Sequence, residues 1–135
     1  MKDQLDCVKH FHEVFRCHLE RSPVAELPSD VSEWRIRMLL EELEEYRAAV
    51  GDNDIVEIAD ALTDMLYVLL GTFITHGLQD IAEELFDEVH RSNMSKLDDQ
   101  GKPIFRNDGK VLKSERFSEP DLRPILAKAG QVQPE

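Results

Sequence analysis

The segment RIRMLLEELEEYRAAVGDNDIVEIADALTDMLYVLLGTFIT, residues 35–75, decides the fold. Ile36, Leu39, Leu40, Leu43, Tyr46 and Val50 recur at helical spacing, which predicts a helix over about 30–50, opened by Ser29-Asp30 as an N-cap pair and closed at Gly51. After a short turn, with Asp52 or Asn53 as the next cap, residues 55–74 are apolar almost all the way round. Only Glu57, Asp60 and Asp64 fill a narrow polar sector. Such a helix is expected to be central and buried. If the two helices pack antiparallel across the short turn, the Glu41/Glu42/Glu45 face comes opposite the Glu57/Asp60/Asp64 stripe.

Working outward, Leu5, Val8, Phe11, Phe15 and Leu19 predict a first amphipathic helix over 3–20, ended by Ser22-Pro23. A fourth helix is expected from Asp80 to about Met94. After Lys96 the chain turns polar and turn-rich, with a small hairpin around Asn107-Asp108-Gly109 and a last short helix between Pro120 and Gly130. The expected architecture is all-α: a four-helix bundle with an irregular C-terminal tail. It forms one domain, 1–135, with a helical core over 1–96 and a basic tail over 97–135.

The chain has 135 residues and a net charge of −12. Nine carboxylates lie between Glu41 and Asp64 against Arg47 alone, whereas seven basic residues face four acidic ones between Arg91 and Arg116. The acidic balance argues against nucleic-acid polymers and anionic membranes, which are bound through Lys and Arg. Residues 55–74 are long enough to span a bilayer, but three acids make that costly, so no membrane span is expected. Cys7 and Cys17 lack CxxC spacing and read as reduced thiols of a cytoplasmic protein.

Burying unpaired carboxylates costs several kcal/mol each. No Lys or Arg lies between Asp54 and His76 to pair with the stripe, so oxygen-seeking divalent cations are its natural partners, Mg²⁺ first. A solvated acidic face is the plainer alternative. A di-iron bundle would need Glu-x-x-His on two helices, and only Asp87-x-x-His90 comes near that. His10, His12 and His18 lack a zinc-like partner set.

The run Glu41-Glu42-Leu43-Glu44-Glu45 followed by Glu57-Ile58-Ala59-Asp60 resembles the EExxE and ExxD motifs of the all-α nucleoside triphosphate pyrophosphohydrolases, the MazG-like and phosphoribosyl-ATP pyrophosphohydrolase-like superfamily. Asp64-Met65-Leu66-Tyr67-Val68, Ser92-Asn93-Met94-Ser95-Lys96, Gly109-Lys110-Val111-Leu112-Lys113 and Pro120-Asp121-Leu122 follow in the order of one branch of that superfamily. The resemblance implies a MazG-like bundle that hydrolyses a nucleoside triphosphate between the α and β phosphates, giving a monophosphate and pyrophosphate. It implies Mg²⁺, with Mn²⁺ able to substitute, held by Glu42, Glu45, Glu57, Asp60 and Asp64. Glu57 with Asp60 forms the ExxD pair, or else Asp64 is the final aspartate.

Glu41 or Glu42 is the expected general base, and Asn93, Lys96, Lys110 and Lys113 the expected phosphate donors. The resemblance also implies a homodimer or homotetramer, which suits the apolar surface of four short helices. The alternatives are a phosphoribosyl-ATP pyrophosphohydrolase of histidine biosynthesis and a non-catalytic helical nucleotide-sensing or dimerisation module. Phe11, Phe15, Trp34 and Tyr67 are available to stack on a base, or to serve as core and interface residues, and nothing in the sequence selects the base.

Overall fold

The computed structural model describes residues 1–130. Five helices follow in order: α1 (Lys2–Phe15), α2 (Ser29–Asp52), α3 (Ile55–Thr75), α4 (Ala82–Met94) and α5 (Arg123–Lys128). No strand is present among the described residues, so the all-α expectation holds. The expected hairpin is reduced to a single antiparallel bridge between Phe105 and Val111. The chain divides into two compact units, Met1–Asp80 and Ile81–Glu135. Helix α4 therefore groups with the tail, although the change in composition falls only after Lys96.

In the first unit α3 packs on both α2 and α1. Leu5 and Val8 of α1 are buried, as are Ala61, Leu70 and Ile74 of α3. Helix α1 stops earlier than periodicity suggests. Arg16 takes a left-handed conformation (φ 56°), and the Cys17 amide donates back to the His12 carbonyl. Residues 17–28 then run irregularly along the end of α3. The Glu20 amide donates to the Ile74 carbonyl and the Val24 amide to the His76 carbonyl. Gly77 (φ +71°) lies so close to this segment that a Cβ there would sit 2.1 Å from the Ser22 carbonyl oxygen.

The helix ends differ by a residue or two from expectation. Pro28 occupies the N-cap of α2 with no side-chain cap bond, and the helix continues through Gly51 to Asp52 before left-handed Asn53 (φ 54°) ends it. The cap of α3 is Asp54, whose carboxylate accepts from the Val56 and Glu57 amides at 2.9 and 3.3 Å. A cap of this kind is worth about 1 kcal/mol.

Two expectations about burial need correction. Helix α3 is not enclosed: Ile55 is 73 % and Val56 69 % exposed, and Leu62, Leu66 and Leu69 are also open to solvent. Glu57, Asp60 and Asp64 are exposed as well. Most of the apolar stripe of α2 is likewise not its packing face: Ile36, Leu40, Leu43 and Val50 are exposed, and only Leu39 and Tyr46 of the stripe are half-buried. Instead α2 turns Arg35, Met38, Glu42 and Ala49 inward, one helical face at i, i+3, i+7 and i+14. Ala49 on α2 and Ala61 on α3, both buried, let the backbones approach closely.

In the second unit the SNMSK segment serves as a clasp. Ser92 Oγ donates to the Ser118 carbonyl at 2.9 Å, and Ser114 Oγ donates to the Leu97 and Ser95 carbonyls at 2.7 and 3.2 Å. Arg91 reaches Ser118 Oγ at 2.6 Å and the Glu119 carbonyl at 3.0 Å, while Glu88 accepts from the Asp121 amide at 2.7 Å. These bonds hold residues 114–121 on α4. Arg123, at the start of α5, donates its amide to the Asp121 carboxylate at 3.2 Å.

Candidate active site

The antiparallel α2–α3 pair brings together most of the acids singled out by the sequence. Glu45, Glu57 and Asp60 line one cavity of about 210 Å³, floored by Ala49 and Ala61. Asp52, at the last turn of α2, lines the same cavity and was missed by spacing arguments because it reads as a cap. No basic residue lines it.

Glu42 sits at the centre of the charge. It is half-buried, and its Oε2 is shut off from solvent without a hydrogen-bond partner. Its pKa lies above the ordinary glutamate value, first because burial penalises the charged form and then because of repulsion from Glu45, Asp64, Glu41 and Asp60. The cost of an unpaired buried carboxylate therefore falls on Glu42 rather than on the α3 stripe. Glu44 stands apart, in an exposed ion pair with Arg47 at 3.0 Å.

Among the described residues no three His, Cys, Asp or Glu side chains converge closely enough to hold a metal ion. The donor set nevertheless suits a hard divalent cation. It is all carboxylate oxygen, and the orphaned Oε2 of Glu42 and the mutual repulsion around it are both relieved by positive charge.

One turn from Glu42 along α2, at Met38, a second cavity of about 580 Å³ begins. Phe11, Trp34 and Tyr67 contribute aromatic surface to it, with Phe11 and Tyr67 edge to face at 5.8 Å. Its polar lining includes Asp30, His18 and Thr75 as well as Arg35 and His12, the last two not singled out by spacing. Arg35 Nε donates to Thr72 Oγ1 at 3.1 Å, and Nη2 donates to the Val68 carbonyl. His12 donates through Nδ1 to the His18 carbonyl at 2.9 Å, which leaves Nε2 as the acceptor of the neutral ring. Burial is the main reason that the pKa values of both His12 and Arg35 lie below their ordinary values.

Gly71 makes this arrangement possible. A Cβ there would lie 2.6 Å from Arg35 Nη2 and 2.9 Å from His12 Nε2. A glycine in the middle of an apolar helix was the available sequence signal, since it costs about 1 kcal/mol relative to alanine unless something must approach closely.

In the second unit Asn93, Lys96 and Lys113 line a pocket of about 300 Å³ with Phe117 and Glu119. Lys96 Nζ donates to Asn93 Oδ1 at 2.6 Å. Lys113 lies 4.1 Å from the centre of the Phe117 ring and 3.8 Å from Glu119. Lys110 does not line this pocket. It occupies the hairpin turn, where its amide donates to Asp108 at 3.2 Å.

The family description phosphoribosyl-ATP pyrophosphohydrolase matches residues 8–93, which include the second half of α1, the whole of α2 and α3 and nearly all of α4. The chain belongs to this family. It is thereby a member of the MazG-like all-α nucleotide pyrophosphohydrolase superfamily, whose members are hydrolases acting on phosphoric anhydrides and are generally metal-dependent. The match spans the acid pair of helices and ends at Asn93, so the basic tail lies beyond it. No curated protein sequence matches the chain.

Proposed function

We propose that the chain is a Mg²⁺-dependent nucleotide pyrophosphohydrolase that cleaves a ribo- or deoxyribonucleoside triphosphate between its α and β phosphates, releasing a monophosphate and pyrophosphate. The observation that carries this reading is Glu42, an orphaned carboxylate ringed by Glu41, Glu45, Asp60 and Asp64. Glu42, Glu45, Glu57, Asp60 and Asp64 would hold the cation. When bound, Mg²⁺, or Mn²⁺ in its place, neutralises charge on the polyphosphate.

The chain's own residues then position the substrate and move one proton. Water adds to phosphorus as the anhydride bond breaks, the pyrophosphate leaves with the bond's electron pair, and a carboxylate takes the proton. Glu42, with one oxygen shut off from solvent and unpartnered, and Glu41 beside it on α2 are the candidates for that role. Asn93, Lys96 and Lys113 offer donors for phosphate oxygens in their own pocket, and Lys110 adds positive charge nearby in sequence.

The family match favours phosphoribosyl-ATP as the second substrate reading, since it offers the same anhydride bond. We place the enzyme in the cytoplasm, on the strength of two free cysteines and its nucleotide chemistry. The exposed apolar faces of α2 and α3 support assembly with further copies of the chain, as a homodimer or homotetramer.

The test is pyrophosphate release from a panel of nucleoside triphosphates and phosphoribosyl-ATP, with Mg²⁺, Mn²⁺ or a chelator. Release that needs metal and drops at least 100-fold in Asp64→Asn and Glu42→Gln is expected. Nucleotide binding without turnover across the panel would overturn the enzymatic reading in favour of a nucleotide-sensing module.

A further inference from the structure

We propose that the basic hairpin at 102–113 docks on the acidic α2–α3 face of a second copy of the chain, so that Lys110 reaches the phosphates of a nucleotide seated there and each site is completed by its partner. This rests on the nucleotide reading above and says where Lys110 acts.

The hairpin is a poor free-standing element. It is joined by the Phe105–Val111 bridge, with the Leu112 amide donating to the Ile104 carbonyl and the Arg106 amide to the Lys110 carbonyl, both at 2.8 Å. Successive residues of an extended chain point to opposite sides, so Phe105 with Val111 and Ile104 with Leu112 put apolar groups on both faces. All four are exposed, Phe105 by 59 %. A two-stranded ribbon is marginal in water unless a face of it is packed, so this one calls for a cover.

Charge identifies that cover. Residues 102–113 carry four basic side chains, Lys102, Arg106, Lys110 and Lys113, against Asp108 alone. Arg106 is engaged by Asp108, and Lys113 lies against Phe117 and Glu119. The amino groups of Lys102 and Lys110 make no ion pair or hydrogen bond among the described residues. The α2–α3 pair has the opposite pattern: nine carboxylates against Arg47 between Glu41 and Asp64, with exposed Leu40, Leu43, Ile55 and Val56 among or beside them in the chain. An acidic apolar face and a basic apolar arm match in both respects. Every copy carries both, so a reciprocal exchange makes the contact twice and closes by two-fold symmetry.

The position of Lys110 agrees with this. Asn93, Lys96 and Lys113 share one pocket, whereas Lys110 stands at the end of the turn, outside it. The acid cavity has no basic residue in its lining, so a polyphosphate drawn there by a cation still lacks a charged donor. A lysine of the partner copy supplies one.

The experiment mixes unlabelled and heavy-isotope-labelled full-length chains and follows by native mass spectrometry whether assemblies hold both. A carbodiimide, which joins an amine directly to a carboxylate, is then added at low salt in chelator. Cross-links from Lys102 or Lys110 to carboxylates between Glu41 and Asp64 are expected, about half of them joining a light to a heavy peptide, as random pairing of two copies gives. They should fade in 1 M salt. Cross-links confined to single copies overturn the proposal, and so does a monomeric chain or an assembly without these cross-links.

Turnover gives a second readout. Lys110→Glu, at an exposed turn position, is expected to lower pyrophosphate release by about 10-fold or more. Its equimolar mixture with Glu42→Gln should recover about a quarter of the wild-type rate, because half of the dimers are mixed and each of those holds one intact site. A mixture no more active than its parts overturns the proposal. Cross-links between copies in a wild-type protein without turnover would sink the proposed reaction and leave the docking standing. Wild-type turnover without such cross-links would do the reverse.

Discussion

Replacing Glu42 by Gln should make the metal-free protein more stable while disabling it. In the folded chain Glu42 is repelled by Glu41, Glu45, Asp60 and Asp64, and one of its oxygens is buried without a partner. At a partly exposed site each nearby like charge, Glu41 and Glu45 on the same helix and Asp60 and Asp64 on the next, costs about a few tenths of a kcal/mol. Four such neighbours, with the desolvation of the carboxylate, give about 1–2 kcal/mol in favour of the neutral amide. For a chain of 135 residues this is a rise in Tm of about 3–8 °C in chelator at pH 7 and low salt. In 1 M salt, where the screening length is about 3 Å, the repulsive part should largely disappear.

The pH dependence follows from the sign of the shift. A carboxyl whose pKa is raised by folding stabilises the fold most when protonated. That contribution is complete below the ordinary value of 4.5 and is lost as pH rises through the raised value. The gap between wild type and Glu42→Gln should therefore be widest near neutral pH and close on acidification. Saturating Mg²⁺ should reverse the order, because a cation at 100 times its Kd adds about 2.7 kcal/mol to the chain that binds it. Thermal melts of both proteins in chelator and in Mg²⁺, from pH 4 to 8, measure all of this. A Glu42→Gln protein that is less stable than wild type in chelator at low salt would refute the account of Glu42 as a strained, unpaired acid.

Other changes probe the frame around the site. Gly77→Ala should destabilise the first unit by about 3 kcal/mol or more in urea melts, because left-handed backbone and the 2.1 Å approach to the Ser22 carbonyl oxygen both oppose a Cβ. His12 should stay neutral to a lower pH than a free histidine in an NMR titration; with its pKa lowered by folding, the stability it contributes is present above 6.5 and lost as pH falls through the folded value. Arg91→Ala should return Glu88 from a pKa of about 2 toward 4.5 and speed amide exchange over Ser118–Asp121, since Arg91 holds both the carboxylate and that segment. The wild-type contribution of Glu88 is accordingly present above 4.5 and is lost as pH falls toward 2.

The meeting of the Glu41/Glu42/Glu45 face with the α3 acids was legible in the sequence. A turn as short as Asn53-Asp54 leaves two adjacent helices little choice but to run antiparallel, and a 100° step per residue then fixes which positions share a face. The family was legible for the same reason, because its motifs are spacings along single helices. The mistakes concern what covers each face. Periodicity marks Ile36, Leu40, Leu43 and Val50 as one apolar stripe, but apolar character alone does not say against what a stripe packs. Helix α2 presents Ala49 and Glu42 to α3 because small residues on both helices permit close approach, and Leu40 and Leu43 are left outward.

That Arg35 and His12 line the larger cavity was invisible in the sequence, since it rests on contacts that cross long stretches of chain. Arg35 meets Thr72 across 37 positions, and Gly71 matters only because both side chains pass over it. Local spacing thus determined the helices and the acid cluster. Only the tertiary packing decided which carboxylate is desolvated, which guanidinium is turned inward, and which apolar faces stay uncovered, because desolvation depends on neighbours that the chain brings in from far away along its length.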